Sequence, residues 1–274
     1  MNMIKKGKIG IVWGLLLAMF FLFSGFVSAH SLWINSTDYA PSFYEKFGGM
    51  SKIYFGWGHR YPVADFPDVK GFKEISLFNE ELGKKEIAPG EGGFLATSLS
   101  FEKPGFYTVY AAKKPGFYTM HVDNGKIHHK LGPKTGLKGV ILSNYYEQYA
   151  KCLISVGETN DDSFAKPIGQ KLEIIPLDNP YKFNASNGQF LRVKVLFDGK
   201  PAKFCKLYAT YSGFSSSDDF AYATTTSSDG IAKIRITHWG PWLLKAQMKL
   251  PPEGEMSTKC NTLSYTATLT FEIP

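Results

Sequence analysis

Alternating apolar and polar positions predict short β-strands along most of the chain. In the first half, segments rich in aromatic and β-branched residues are separated by Gly, Pro, Asn or charged turns. These segments cover residues 52–57, 74–78, 93–101 and 105–112. Short strands at such regular spacing favour a β-sandwich.

The second half carries the same signal more strongly. Leu191, Val193 and Val195 alternate with Arg192 and Lys194, which is typical of a half-buried strand. Further strands are predicted at 172–177, 202–211, 231–236, 242–248 and 265–273. This half therefore resembles an antiparallel, immunoglobulin-like sandwich.

The predicted fold is mainly β, with two immunoglobulin-like β-sandwich modules and one short helix between them. Residues 144–154 contain no Gly or Pro and are the best helix candidate. A polar stretch at 157–163 indicates a boundary or a lid. We place an N-terminal β-rich metal-binding domain at 30–165 and a C-terminal sandwich at 166–274.

Residues 1–29 have the features of a secretory signal peptide. Three lysines precede an uncharged apolar run at 9–23, and Val27 and Ala29 are the small residues of a cleavage site. Cleavage after Ala29 predicts a periplasmic protein that begins at His30. The alternative is an uncleaved membrane anchor at 9–29, since about 20 apolar residues span a bilayer.

Charge and cysteine content limit the function classes. The formal charge is +7, and loss of the three signal lysines leaves +4. This mild, dispersed charge predicts no nucleic-acid partner, and membrane contact only through a partner or an uncleaved anchor. We predict a Cys205–Cys260 disulfide and a buried, unpaired Cys152. The absence of C-x-x-C argues against a thiolate metal cluster.

Histidines are the candidate metal ligands. Cleavage would give His30 a free α-amine with a pKa of about 7.7 to 8.0, so that the amine and Nδ1 of one residue can chelate an ion. His59 lies in a loop with two glycines, and His238 lies in a loop that also contains Trp239 and Trp242. Nitrogen ligands suit nickel, cobalt, copper and zinc.

Weaker candidates complete the set. His121 and His128 flank a predicted hairpin turn, across which His121 is expected to face either Ile127 or His128, whereas adjacent His129 points to the face opposite that of His128. Asp65 or Asp68 is expected to orient an imidazole or to bind the ion directly.

Several motifs give the chain a family resemblance. Residues 29–33, 56–62, 172–177, 197–201, 240–243 and 265–271 resemble a family of bacterial periplasmic proteins. That family is described as the periplasmic component of cobalt or nickel ABC-type uptake, and also as a domain of unknown function. The resemblance implies delivery of nickel or cobalt to inner-membrane transporter subunits, by a binding protein rather than an enzyme.

Two other function classes stay open. An N-terminal histidine with a second histidine is also similar to the copper site of oxidative polysaccharide-cleaving enzymes. The 22 Phe and 15 Tyr allow a carbohydrate-binding or adhesin module in which the histidines are incidental. No nucleophile elbow, phosphate loop or H-E-x-x-H motif is present.

Overall fold

The computed structural model describes residues 30–274, and the predicted signal peptide at 1–29 lies outside them. The described chain is mainly β, which confirms the predicted fold class. The strands of the first half are β1 (Ser31–Ser36), β2 (Gly49–Gly58), β3 (Phe72–Asn79), β4 (Gly83–Glu86), β5 (Thr97–Phe101), β6 (Gly105–Lys113), β7 (Gly116–Asp123), β8 (Lys126–Lys130) and β9 (Val140–Val156).

The second half continues the same architecture. Its strands are β10 (Leu172–Pro176), β11 (Phe190–Phe197), β12 (Lys200–Pro201), β13 (Lys206–Tyr211), β14 (Tyr222–Thr225), β15 (Ile231–Arg235), β16 (Gly240–Leu250) and β17 (Thr262–Ile273). One short α-helix, α1 (Met256–Lys259), precedes β17. Within residues 30–274, no helix is both long and apolar enough to cross a bilayer.

The predicted helix at 144–154 is wrong, because these residues lie inside strand β9. Successive side chains of this segment point alternately to two different cores, which is the two-residue period of a strand. Ala150, Cys152 and Ile154 face one core, whereas Leu153 faces another. From Ala150 to Val156 the strand is covered on both faces, so this part of its sequence lacks the alternation that identifies a strand with one exposed face.

A ten-stranded sheet forms the centre of the molecule. Its main order is β14-β13-β16-β17-β9-β6-β3-β4, and the β7–β8 hairpin joins it at β9. β9 and β17 run parallel, and the other pairs of this sheet are antiparallel. Both predicted modules contribute strands to this sheet.

Two smaller sheets cover opposite faces of the central one. The sheet β1-β2-β5 packs on one face, and the core between them contains Phe55, Val109 and Cys152. The four-stranded sheet of β10, β11, β12 and β15 packs on the other face, around Leu153, Trp242 and similar residues. The fold is therefore two β-sandwiches that share their middle sheet.

The predicted Cys205–Cys260 disulfide is wrong, since Cys152, Cys205 and Cys260 are all free and buried. The Cys205 thiol points at the carbonyl of Gln247 on β16, whereas the Cys260 thiol points at the carbonyl of Met256 in α1. Burial raises the pKa of the Cys205 thiol to about 11 and that of Cys152 to about 12. Both thiols are therefore protonated and unreactive at neutral pH.

Candidate metal centre

The register of β1 with β2 brings His30 and His59 together. The two strands are antiparallel, and their pairing ends with Ser31 opposite Gly58. The next residues on each strand are His30 and His59, so the two histidines follow the last pair on the same side of the ladder. Their ring centroids are 4.4 Å apart, and both residues are exposed.

The backbone around His30 is fixed by side chains from the central sheet. Gln148 Nε2 donates a hydrogen bond to the His30 carbonyl at 2.7 Å, and its Oε1 accepts from the Leu32 amide at 3.2 Å. The Thr268 hydroxyl donates to the Leu32 carbonyl at 2.7 Å, and the Thr270 hydroxyl donates to the Ile34 carbonyl. These bonds keep the first described residues from fraying.

The end of β2 is shaped by Trp33. Its indole nitrogen donates to the Pro62 carbonyl at 2.9 Å, across the loop that carries His59. A Cβ on Gly56 would lie 2.1 Å from that nitrogen, so only glycine lets the indole cross β2 here. The loop of His59 is thus held from behind by a buried tryptophan.

Trp57 provides a flat support for the His30 ring. The two rings are stacked, with centroids 5.6 Å apart and an angle of 15° between their planes. The ammonium of Lys113 lies 3.5 Å from the centroid of the same indole. Burial lowers the pKa of Lys113, and Asp68 partly opposes that shift. The imidazole of His30 is therefore oriented by stacking as well as by its backbone.

Electrostatics favour the neutral form of His59. Burial lowers the pKa of His59 below its usual 6.5, the charges of His30 and Lys245 lower it further, and Asp218 opposes them. A lowered pKa means that the ring is uncharged at neutral pH. Metal ligation requires this deprotonated form.

A cleft of about 360 Å³ opens beside the two histidines. Besides the two histidines, its wall consists of five aromatic or aliphatic side chains and three polar ones. The lining residues are His30, Trp57, His59, Tyr118, Leu131, Leu142, Asn144, Tyr146, Gln148 and Ser264. The cleft contains no carboxylate, and its chemistry is that of neutral nitrogen donors beside an apolar wall.

The structure places His238 outside this cleft. Its ring stacks on Tyr211 with centroids 4.4 Å apart, and its Nδ1 donates to the Trp239 carbonyl at 2.5 Å. Asp65 pairs with Trp57 through the backbone, and its carboxylate accepts from the Phe66 amide. Neither residue lines the space that His30 and His59 share.

The weaker histidines form a separate cluster on the β7–β8 hairpin. His121 and His128 are paired across the two strands, and their rings stack with centroids 5.5 Å apart. The Nδ1 atom of His121 is buried without a hydrogen-bond partner. His129 instead shares a hydrogen bond of 2.5 Å with the Tyr118 hydroxyl, at the edge of the cleft.

Residues 30–274 contain no group of three or more His, Cys, Asp or Glu side chains placed to hold a metal ion. A metal ion held by the two histidines of the cleft would need a donor of another kind. The α-amine that cleavage would create on His30 is such a donor. Three side chains that line the cleft, Gln148, Trp57 and Tyr118, were not among the site residues predicted from the sequence, although Trp57 belongs to the motif at 56–62.

A model of the domain of unknown function DUF4198 matches residues 27–250. The chain belongs to this family. The match covers β1, β2, β9 and most of the central sheet, so both histidines of the cleft lie inside the DUF4198 domain.

Comparison with other proteins adds similarities of low identity. No curated protein matches the chain. The D0-D1 domain of intimin is 14% identical with a TM-score of 0.22, over 87% of this chain and 96% of that one. A native alpha-2-macroglobulin fragment from Escherichia coli is 7% identical with a TM-score of 0.21, over 86% and 96% of the two chains.

Proposed function

We propose that this DUF4198 protein, once cut to begin at His30, binds one divalent transition metal and delivers it to an inner-membrane uptake transporter. The ion would be held by the His30 amine, the His30 Nδ1 and one ring nitrogen of His59. The observation that carries the proposal is the antiparallel register that sets His30 beside His59 at the edge of a cleft.

The donor set supports capture and release rather than a closed structural site. Three nitrogens from two exposed residues leave further coordination positions open. An open position lets an incoming ligand of a partner begin to remove the ion. Exposure of both rings gives such a partner direct access.

Nickel or cobalt is the proposed cargo. Imidazole and amine nitrogens suit both ions, and the resemblance to periplasmic components of cobalt or nickel uptake supports the same choice. Zinc and copper also accept such ligands, and copper binds nitrogen sites more tightly than nickel does. Selection of nickel or cobalt would then depend on which ions are available in the periplasm.

The test is calorimetric titration of Ni²⁺ into protein prepared to start at His30. Replacing His59 with Ala should weaken binding by about 100-fold or more, because even outer-shell partners of metal ligands are worth about 10- to 100-fold. His238→Ala is the matched control. It removes a half-buried histidine outside the cleft and should leave the affinity within about twofold of the unmodified protein.

Three results would count against the proposal. Equal affinity in the His59→Ala and unmodified proteins would remove His59 from the site. A large loss in His238→Ala would mean that the ion sits elsewhere. Copper-dependent oxidation of polysaccharide with a reductant would favour the oxidative enzyme, and glycan binding that a chelator leaves unchanged would favour the carbohydrate-binding module.

A further inference from the structure

The cleft beside His30 and His59 is much larger than a metal ion requires. Its volume of about 360 Å³ compares with about 30 Å³ for one water molecule in the liquid, so it holds roughly a dozen waters or one small organic molecule. Leu131 and Leu142 form part of its wall together with aromatic rings. The two leucine side chains give no hydrogen bonds to the water shell of an ion.

The charge of the site is the second observation. None of the proposed donors carries a negative charge, and no Asp or Glu lines the cleft. A divalent ion bound there keeps its full charge beside an apolar wall, which costs free energy unless an anion accompanies it. An anion that binds together with the ion would supply the missing negative charge.

Polar side chains in the wall fit the oxygens of such an anion. The Asn144 amide, the Ser264 hydroxyl and the Tyr118 hydroxyl all line the cleft and can donate hydrogen bonds. The Lys113 ammonium, 3.5 Å from the Trp57 ring centroid, adds positive potential behind the wall. Trp57 and Tyr146 offer flat apolar surfaces on which a planar ligand body can pack.

We infer that the cleft binds the metal together with a small, flat, carboxylate-bearing chelator. This rests on the proposed function. The two histidines and the amine take part of the coordination sphere of the ion, and the chelator takes the open positions while its body fills the apolar cleft.

Two isomeric probes test the inference. Picolinate chelates Ni²⁺ through its ring nitrogen and its neighbouring carboxylate, whereas nicotinate has the same size and charge but cannot close that chelate ring. Each is mixed in equal amount with Ni²⁺ and the protein that starts at His30, and native mass spectrometry gives the bound mass. We expect one nickel plus one picolinate, and nickel alone with nicotinate.

Two substitutions of Leu131 in the wall of the cleft, one charged and one neutral, provide a matched pair of variants. Leu131 lines the cleft and its side chain is 86% exposed, so substitution there leaves the fold intact. Leu131→Glu should repel the anionic chelator and reduce the picolinate-containing species by about tenfold, while binding of Ni²⁺ alone is kept or strengthened. Leu131→Gln introduces a side chain of the same shape as Glu but without its charge. It should form as much of the picolinate-containing species as the unmodified protein.

The outcomes separate this inference from the proposed function. Nickel alone with both probes, or equal picolinate binding by the Glu and Gln variants, would overturn the chelator while leaving the metal site standing. Picolinate retained without nickel would show an apolar ligand site that does not depend on the ion, which also overturns the inference. No nickel under any condition would overturn the proposed function and this inference with it.

Discussion

Gln148 is the residue on which the position of His30 depends most. Its buried amide bonds the backbone of both His30 and Leu32. Replacing Gln148 with Ala removes two hydrogen bonds, each worth about 0.5–1.5 kcal/mol. We expect the free energy of unfolding to fall by about 1–3 kcal/mol and the nickel affinity to fall about tenfold. Denaturant titration and calorimetry measure the two quantities.

Thr268→Val is the matched control for that prediction. It keeps the volume of the side chain and removes one hydrogen bond, the one to the Leu32 carbonyl. Because this bond holds residue 32 rather than residue 30, stability should fall by about 1 kcal/mol while nickel affinity changes little. If both variants bound nickel equally well, Gln148 would be a structural residue with no role in positioning His30.

At the scale of single residues, His30 could be predicted from the sequence, but its partner Gln148 could not. His30 stands out because a cleavage signal precedes it, and that signal is local. Its neighbour Gln148 lies 118 residues away along the chain, in a segment that resembled a helix. Contacts made across such a distance depend on strand order, which no local pattern encodes.

Among the elements, strands β9 and β10 are linked by an ion pair inside the protein. Lys151 Nζ lies 2.9 Å from Glu173 Oε1, and the two side chains are only 4% and 1% exposed. Glu173 also accepts hydrogen bonds from the backbone amides of Ile168 and Gly169. Burial lowers the pKa of Lys151, and the charge of Glu173 opposes that shift.

Breaking this pair on one side should destabilise the protein strongly. Lys151→Met leaves the Glu173 charge buried without its cation, and loss of one partner of a buried pair costs about 3–5 kcal/mol. The double variant Lys151→Met, Glu173→Gln should lose less than the sum of the two single variants, because no lone charge remains. Thermal or denaturant unfolding of all four proteins gives the coupling, and additive losses would contradict it.

The helix predicted at 144–154 was wrong because of how strand β9 is placed between its neighbours. Residues 144–154 contain neither glycine nor proline. The interiors of helices and of central strands both lack these residues, so their absence does not distinguish the two. The strand is covered by one sheet on the face of Cys152 and by another on the face of Leu153. Because the buried part of the strand has no exposed face, its sequence does not alternate between apolar and polar residues.

At the scale of the whole molecule, the fold class could be predicted from the sequence, but the sheet topology could not. The class, mainly β, followed from aromatic and β-branched runs between turns. The shared central sheet did not follow, because the parallel pairing of β9 with β17 joins residues more than 100 positions apart. The predicted boundary between residues 165 and 166 stays a prediction.

The candidate centre depends on this whole arrangement. β2 brings His59 to the edge of the first sheet, β9 supplies Gln148, and β17 supplies Thr268. Of these, Gln148 bonds the His30 backbone directly, whereas Thr268 holds the neighbouring Leu32. The central claim is that its amine binds the ion together with the two imidazoles.

Competition for a limited amount of nickel tests that claim most directly. Protein that starts at His30 is mixed with an equal amount of protein that carries one extra Ala ahead of His30, and about half an equivalent of Ni²⁺ is added. Native mass spectrometry separates the two forms by the mass of the Ala. Since the extension displaces the amine but keeps both rings, we predict nickel on the form that starts at His30. Equal loading of the two forms would contradict the account.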